Sequence, residues 1–87
     1  MTAPSGWRPA LSRSALLRHD PVRQAELLIV PERIVVLNEE AAAIVGLCDG
    51  RRTVADIVAE IVAEFPGGVE ADVVEFLDRV RAEGWLR

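Results

Sequence analysis

The sequence predicts an α+β domain of winged-helix-like form, with a three-stranded antiparallel sheet followed by a three-helix bundle. Three observations predict it. Two short runs rich in β-branched residues, 27–30 (LLIV) and 34–37 (IVVL), flank Pro31-Glu32-Arg33. From Asn38 onward the apolar spacing changes from strand-like to helical. Gly50, Pro66-Gly67-Gly68 and Gly84 then cut the helical part into three.

The elements follow in order. Residues 1–14 contain Pro4, Gly6 and Pro9 among several serines and show no sustained period, so they are expected to form a flexible arm. Residues 15–87 form the domain. Residues 16–23 supply a looser first strand, and Pro21 puts it at an edge or bends it. The runs around Pro31 form a β-hairpin, with the proline at the turn because it has no N–H to give a ladder. Asn38 caps a first helix that is expected to run to about Cys48, with Glu39 and Glu40 in the first turn where carboxylates are favoured. Gly50 ends it. Thr53 and Asp56 have the spacing of a capping box for a second helix, whose apolar stripe is Val54, Ile57, Val58, Ile61, Val62 and Phe65. A third helix is expected over residues 70–83, with Val73, Phe76 and Val80 in the core and Gly84 as its cap.

Composition narrows the function. Of 87 residues, 51% are apolar and only 5% are aromatic. So much aliphatic surface in so short a chain points to a partner. No run approaches the ~20 apolar residues of a bilayer span, and no secretory signal pattern opens the chain. One cysteine allows no internal disulfide, which fits a cytoplasmic setting. All ten basic residues are arginines. Residues 1–25 hold four arginines and one aspartate, a net of +3, and residues 26–87 hold six arginines and thirteen acids, a net of −7. The acidic part repels nucleic acid, so a winged-helix DNA-binding role is the weaker alternative.

Catalytic and metal motifs are missing. There is no phosphate-binding glycine loop, no HExxH, no CxxC and no Ser/His/Asp set. The chain is read as a non-catalytic protein with no metal and no cofactor of its own. Cys48 is expected as a small buried hydrophobe, His19 as a surface residue, and Trp85 as a seal on the core.

The hairpin stands out because both its faces are apolar, while helices in a domain this size cover one side only. Its second strand is expected at a sheet edge, where unpaired N–H and C=O groups template another strand. Three occupants remain open from pattern alone: an extended peptide, the N-terminal arm, or a second copy forming a weak homodimer.

A resemblance then adds to this reading. The V-P-E-R turn, V-V-L-N entering the first helix, L-C-D-G-R-R-T closing it, and the ending F-L-D-R-V-R-A-E-G-W-L resemble the PqqD family over about residues 16–87. The resemblance implies a β3α3 unit acting as a peptide chaperone, or precursor recognition element, in the biosynthesis of pyrroloquinoline quinone (PQQ), a quinone cofactor. It implies two partners: the ribosomally made precursor peptide PqqA, and PqqE, a radical S-adenosylmethionine enzyme. It further implies that the peptide adds as a strand in the groove between the third strand and the third helix. By position, that groove is expected to use Arg33, Ile34, Val35, Val36 and Leu37 of the strand and Val74, Leu77, Asp78 and Arg81 of the helix. A recognition element for another modified peptide, of lasso or mycofactocin type, is the alternative within the same class.

Overall fold

The structure is a computed structural model of the 87-residue chain, and it describes residues 6–87. The first five residues of the expected arm lie outside the described residues. Three strands come first: β1 (Leu16–Asp20), β2 (Ala25–Val30) and β3 (Arg33–Leu37). Three helices follow: α1 (Glu39–Gly46), α2 (Val54–Glu64) and α3 (Glu70–Ala82).

The strands form one antiparallel meander in the order β1-β2-β3, so β3 is an edge strand. Val30 pairs with Arg33, which leaves Pro31 and Glu32 as a two-residue turn. Proline fixes a negative φ, and Glu32 takes a φ of +70°, the combination of a type II turn. Pro21 falls in the turn after β1 and not in the ladder.

Alternation sorts the sheet residues between two faces. Leu28, Val30 and Leu37 are buried on the inner face, where they pack with Val45 of α1. Leu17 and Val35, partners of Leu28 on either side, join them. The second cluster lies among the helices: Ile44 and Cys48 meet Ile57, Ile61, Val73, Leu77, Val80 and Leu86. Phe76, Trp85 and Leu11 pack against both clusters and tie the sheet to the bundle.

The helix starts follow the sequence. The Asn38 side chain accepts the Ala41 N–H at 2.8 Å. Thr53 and Asp56 complete a capping box: the Thr53 hydroxyl accepts the Asp56 N–H at 3.1 Å, and the Asp56 carboxylate accepts the Thr53 N–H at 3.0 Å. Thr53→Ala is therefore expected to cost about 1 kcal/mol, read as a lower denaturant midpoint at unchanged slope. The ends differ slightly from expectation. Helix α1 stops at Gly46, two residues short of Cys48, because the chain turns to bring Gly50 under the N-terminal segment. The Gly50 N–H donates to the Pro9 carbonyl at 2.9 Å, and Gly50 has a φ of +80°. A side chain there is strained by the backbone, while its Cβ would only touch Ala10.

Acid weakens these caps. The Thr53 N–H holds the Asp56 carboxyl below the usual carboxylate range, and the Arg51 N–H does the same for Asp49 in the α1–α2 loop. Folded values below the unfolded ones mean this stabilisation is complete above about pH 4 and is lost as pH falls through the depressed values. A melt series from pH 6 to 2 should show a smaller acid loss in Asp56→Asn than in the parent.

The expected free arm is corrected over Trp7 to Ser12. Pro9 is buried, and the segment pairs with the C-terminus. Ala10 and Arg87 exchange backbone hydrogen bonds at 3.2 and 2.9 Å, and the Ser12 N–H donates to the Trp85 carbonyl at 2.9 Å. The Trp7 ring lies under the Arg81 guanidinium at 4.2 Å. Glycine and proline in this stretch signal a turn-rich path, and the partner 75 residues away is invisible to local pattern.

Candidate functional site

A groove of about 530 Å³ opens between β3, α1 and α3. The β3 edge forms one wall, contributing Arg33 and Val35. Helix α1 contributes Glu40, Ala41 and Ile44, and the Asn38 cap stands between strand and helix. Helix α3 forms the opposite wall with Asp72, Glu75, Phe76, Arg79, Val80 and Glu83. Trp85 lines the groove beyond the end of α3.

The ends of the groove differ in charge. At the start of β3 the Arg33 guanidinium lies 4.8 Å from the Trp85 ring centroid and 3.5 Å from the Glu83 carboxylate. Both partners of this ion pair are half exposed, so it adds under about 1 kcal/mol to stability. Its effect is to hold a flat cation–aromatic surface at the groove mouth. At the far end Glu40, Asp72 and Glu75 gather.

The strand half of the expected site divides by face. Arg33 and Val35 line the groove, and Leu37, on the same face, is buried at 8% exposure under the sheet. Ile34 and Val36 point the other way and stand on the outer face of the sheet at 59% and 56% exposure. All five remain on the edge strand, where their backbone is open to a further strand.

The helix half is not brought to the groove. Leu77 is 1% exposed and belongs to the core. Val74 and Asp78 lie outside the groove lining, and Arg81 is held over Trp7. The groove stripe on α3 is Asp72, Glu75, Phe76, Arg79 and Glu83, on the other flank of the core positions Val73, Leu77 and Val80. Phe76 is accordingly half core and half groove wall. Helical spacing finds the buried stripe but treats its two flanks alike, so it does not say which flank faces β3. Trp85 likewise does two things, packing on both clusters and lining the groove. The one hint toward the missed stripe was the aromatic pair Phe76 and Trp85.

The remaining singled-out residues behave as expected. The Cys48 thiol is buried against the Ile44 carbonyl, with 3.3 Å between sulfur and oxygen. Burial pushes its pKa up to about 12, which leaves it a poor nucleophile. His19 is exposed and sits 2.7 Å from the Glu26 carboxylate.

Comparison with known proteins is consistent with this architecture. The family described as coenzyme PQQ synthesis protein D (PqqD) matches residues 27–86. The "PqqA binding protein" of Azotobacter vinelandii is 41% identical over 80 residues, covering 90% of this chain and 87% of that one. The "PqqA binding protein" of Klebsiella pneumoniae strain 342 is 42% identical over 79 residues, covering 88% and 86%. The solution structure of the PqqD truncation of Methylobacterium extorquens PqqCD, described as a stand-alone RiPP recognition element, superposes with a TM-score of 0.77 at 31% identity over 100% of this chain and 95% of that one. The crystal structure of PqqD from Xanthomonas campestris gives 0.57 at 31% identity, covering 99% of each. With the sheet, the helix order and most of its length matched, this chain belongs to the PqqD family.

Proposed function

We propose that this chain binds the ribosomal precursor peptide PqqA by strand addition and presents it to the radical S-adenosylmethionine enzyme PqqE in PQQ biosynthesis. The observation that carries the reading is the unpaired β3 edge standing beside a groove of about 530 Å³. Main-chain hydrogen bonds along residues 33–37 supply affinity with little dependence on peptide side chains. Alternate peptide side chains enter the groove, where Val35, Phe76 and Trp85 offer apolar contact and Arg33 and Arg79 offer charge. The names of the relatives support the choice of peptide.

In this reading the chain contributes binding and no chemistry. Holding the peptide close to PqqE raises its effective concentration at the enzyme. The chain works as a monomer or weak homodimer, and dimerisation through β3 competes with the peptide for the same edge. Its setting is the cytoplasm, where a ribosomal peptide is made. Among the described residues no helix is long and apolar enough to cross a membrane.

A titration of ¹⁵N-labelled protein with synthetic PqqA tests the site. Amide shifts are expected at residues 33–37 and along the α3 stripe of Asp72, Glu75, Phe76 and Arg79. Shifts confined to α2 and the N-terminal segment overturn the groove.

A further inference from the structure

Helix α1 packs on the inner face of the sheet, with α2 and α3 packed beyond it, and the outer face carries exposed aliphatic residues. On that outer face Leu16, Ile29 and Ile34 form one cross-strand row, and Arg18, Leu27 and Val36 form the next. Leu16, Ile34 and Val36 are 46%, 59% and 56% exposed. Leu27 and Ile29 fill the space between them. The result is a continuous aliphatic surface carrying Arg18, with Asp20 at its end.

We propose that this outer face docks onto the enzyme that modifies the bound peptide, through a surface on that enzyme that is apolar with carboxylates opposite Arg18. The proposal rests on the reading above, in which the peptide adds at β3.

Three arguments choose this occupant. The first is size. A few half-exposed aliphatic residues make a patch of a few hundred Å², at which an ordinary surface becomes a contact site. A self-standing dimer buries about 800 Å² on each partner. Two copies stacked by this face fall short, whereas a contact reinforced by a shared peptide need not stand alone.

The second argument is charge. Arg18 stands on the face and makes no ion pair among the described residues. Asp20, two residues along on the same face, is paired with Arg23, so Arg18 is the unpaired charge of this part of an otherwise acidic molecule. A partner with carboxylates is drawn to this part and repelled by the helices.

The third argument is continuity. A strand added to β3 extends the sheet, and its alternate side chains emerge on the outer face beside Ile34 and Val36. A partner seated there touches carrier and peptide together. The doubly apolar hairpin thus serves two surfaces, its inner face the core and its outer face the enzyme.

The test uses Leu16→Glu and Arg18→Glu, both on β1, the strand away from the peptide edge. Calorimetry measures the affinity of each full-length variant for PqqE, with and without PqqA, and for PqqA alone. Thermal melts and Leu16→Ser, a milder change, guard against a variant that fails to fold. PqqA affinity is expected to stay within about twofold of the parent, while PqqE affinity falls about tenfold or more. Undiminished PqqE binding in the folded variants overturns the docking face. A dimer of the parent, seen by sedimentation and split by Leu16→Glu, also overturns it by assigning the face to a second copy. If the parent binds no PqqA, the peptide reading fails on that arm, and the PqqE arm without peptide still decides the docking face.

Discussion

Ala41→Trp should reduce the affinity for PqqA by at least about a hundredfold, equivalent to about 2.7 kcal/mol, while leaving the melting temperature close to that of the parent. Ala41 lies on the groove side of α1, and it is half buried rather than enclosed. Ala41 also packs on the sheet cluster, so an indole grown from this position is directed to its open side, the groove. The helical cost of the exchange is below about 0.7 kcal/mol, small beside the loss of the peptide's place. The strand edge stays intact, so any remaining binding measures what the β3 backbone gives without the groove. Asp78→Ala, on the far flank of α3, is the matched control and should leave affinity unchanged. Isothermal titration of both variants reads the contrast. Full affinity in Ala41→Trp would move the peptide out of this groove.

Leu77→Ala should destabilise the domain by about 2–5 kcal/mol. Leu77 is 1% exposed and packs in the helical cluster with Ile57, Ile61 and Val73. A domain of this length holds roughly 5–10 kcal/mol in total, so the loss takes a large share. Each kcal/mol shifts the midpoint by about 4–8 °C at this size, so a fall of about 10 °C or more is expected in a circular dichroism melt. The molecules that remain folded should bind PqqA as the parent does. A variant with a normal melt and weakened binding would instead restore Leu77 to the groove.

These two variants mark where the sequence is legible. Strand and helix identities follow from local chemistry: the Pro31 turn, the Asn38 cap and the Thr53/Asp56 box sit where spacing puts them. The order β1-β2-β3 follows from hairpin connections between neighbours in sequence. The groove was legible on its strand side because an edge strand that is apolar on both faces is unusual. Its helix side was not, because Val74, Asp78 and Arg81 are as compatible with the core stripe as Asp72, Glu75 and Arg79. Only the position of β3 distinguishes the flanks, and that is a tertiary fact. The N-terminal segment was misread for the same reason, since Pro9 and Trp7 find their partners at Gly50, Arg81 and Arg87.

The seam between residues 10–12 and 85–87 bears on the order in which the molecule assembles. The meander pairs neighbouring strands, and the helices follow one another, so the body is built from contacts near in sequence and should form quickly. The seam joins positions some three-quarters of the chain apart or more, such as the Trp7 indole donating to the Arg87 carbonyl. Its loop-closure entropy is the largest in the molecule, so it belongs to the last step of folding and the first of opening. Trp85 and Arg33 at the groove mouth lie directly beside this late seam. A folding chain therefore presents a finished β3 edge before the Trp85 end of its groove has closed.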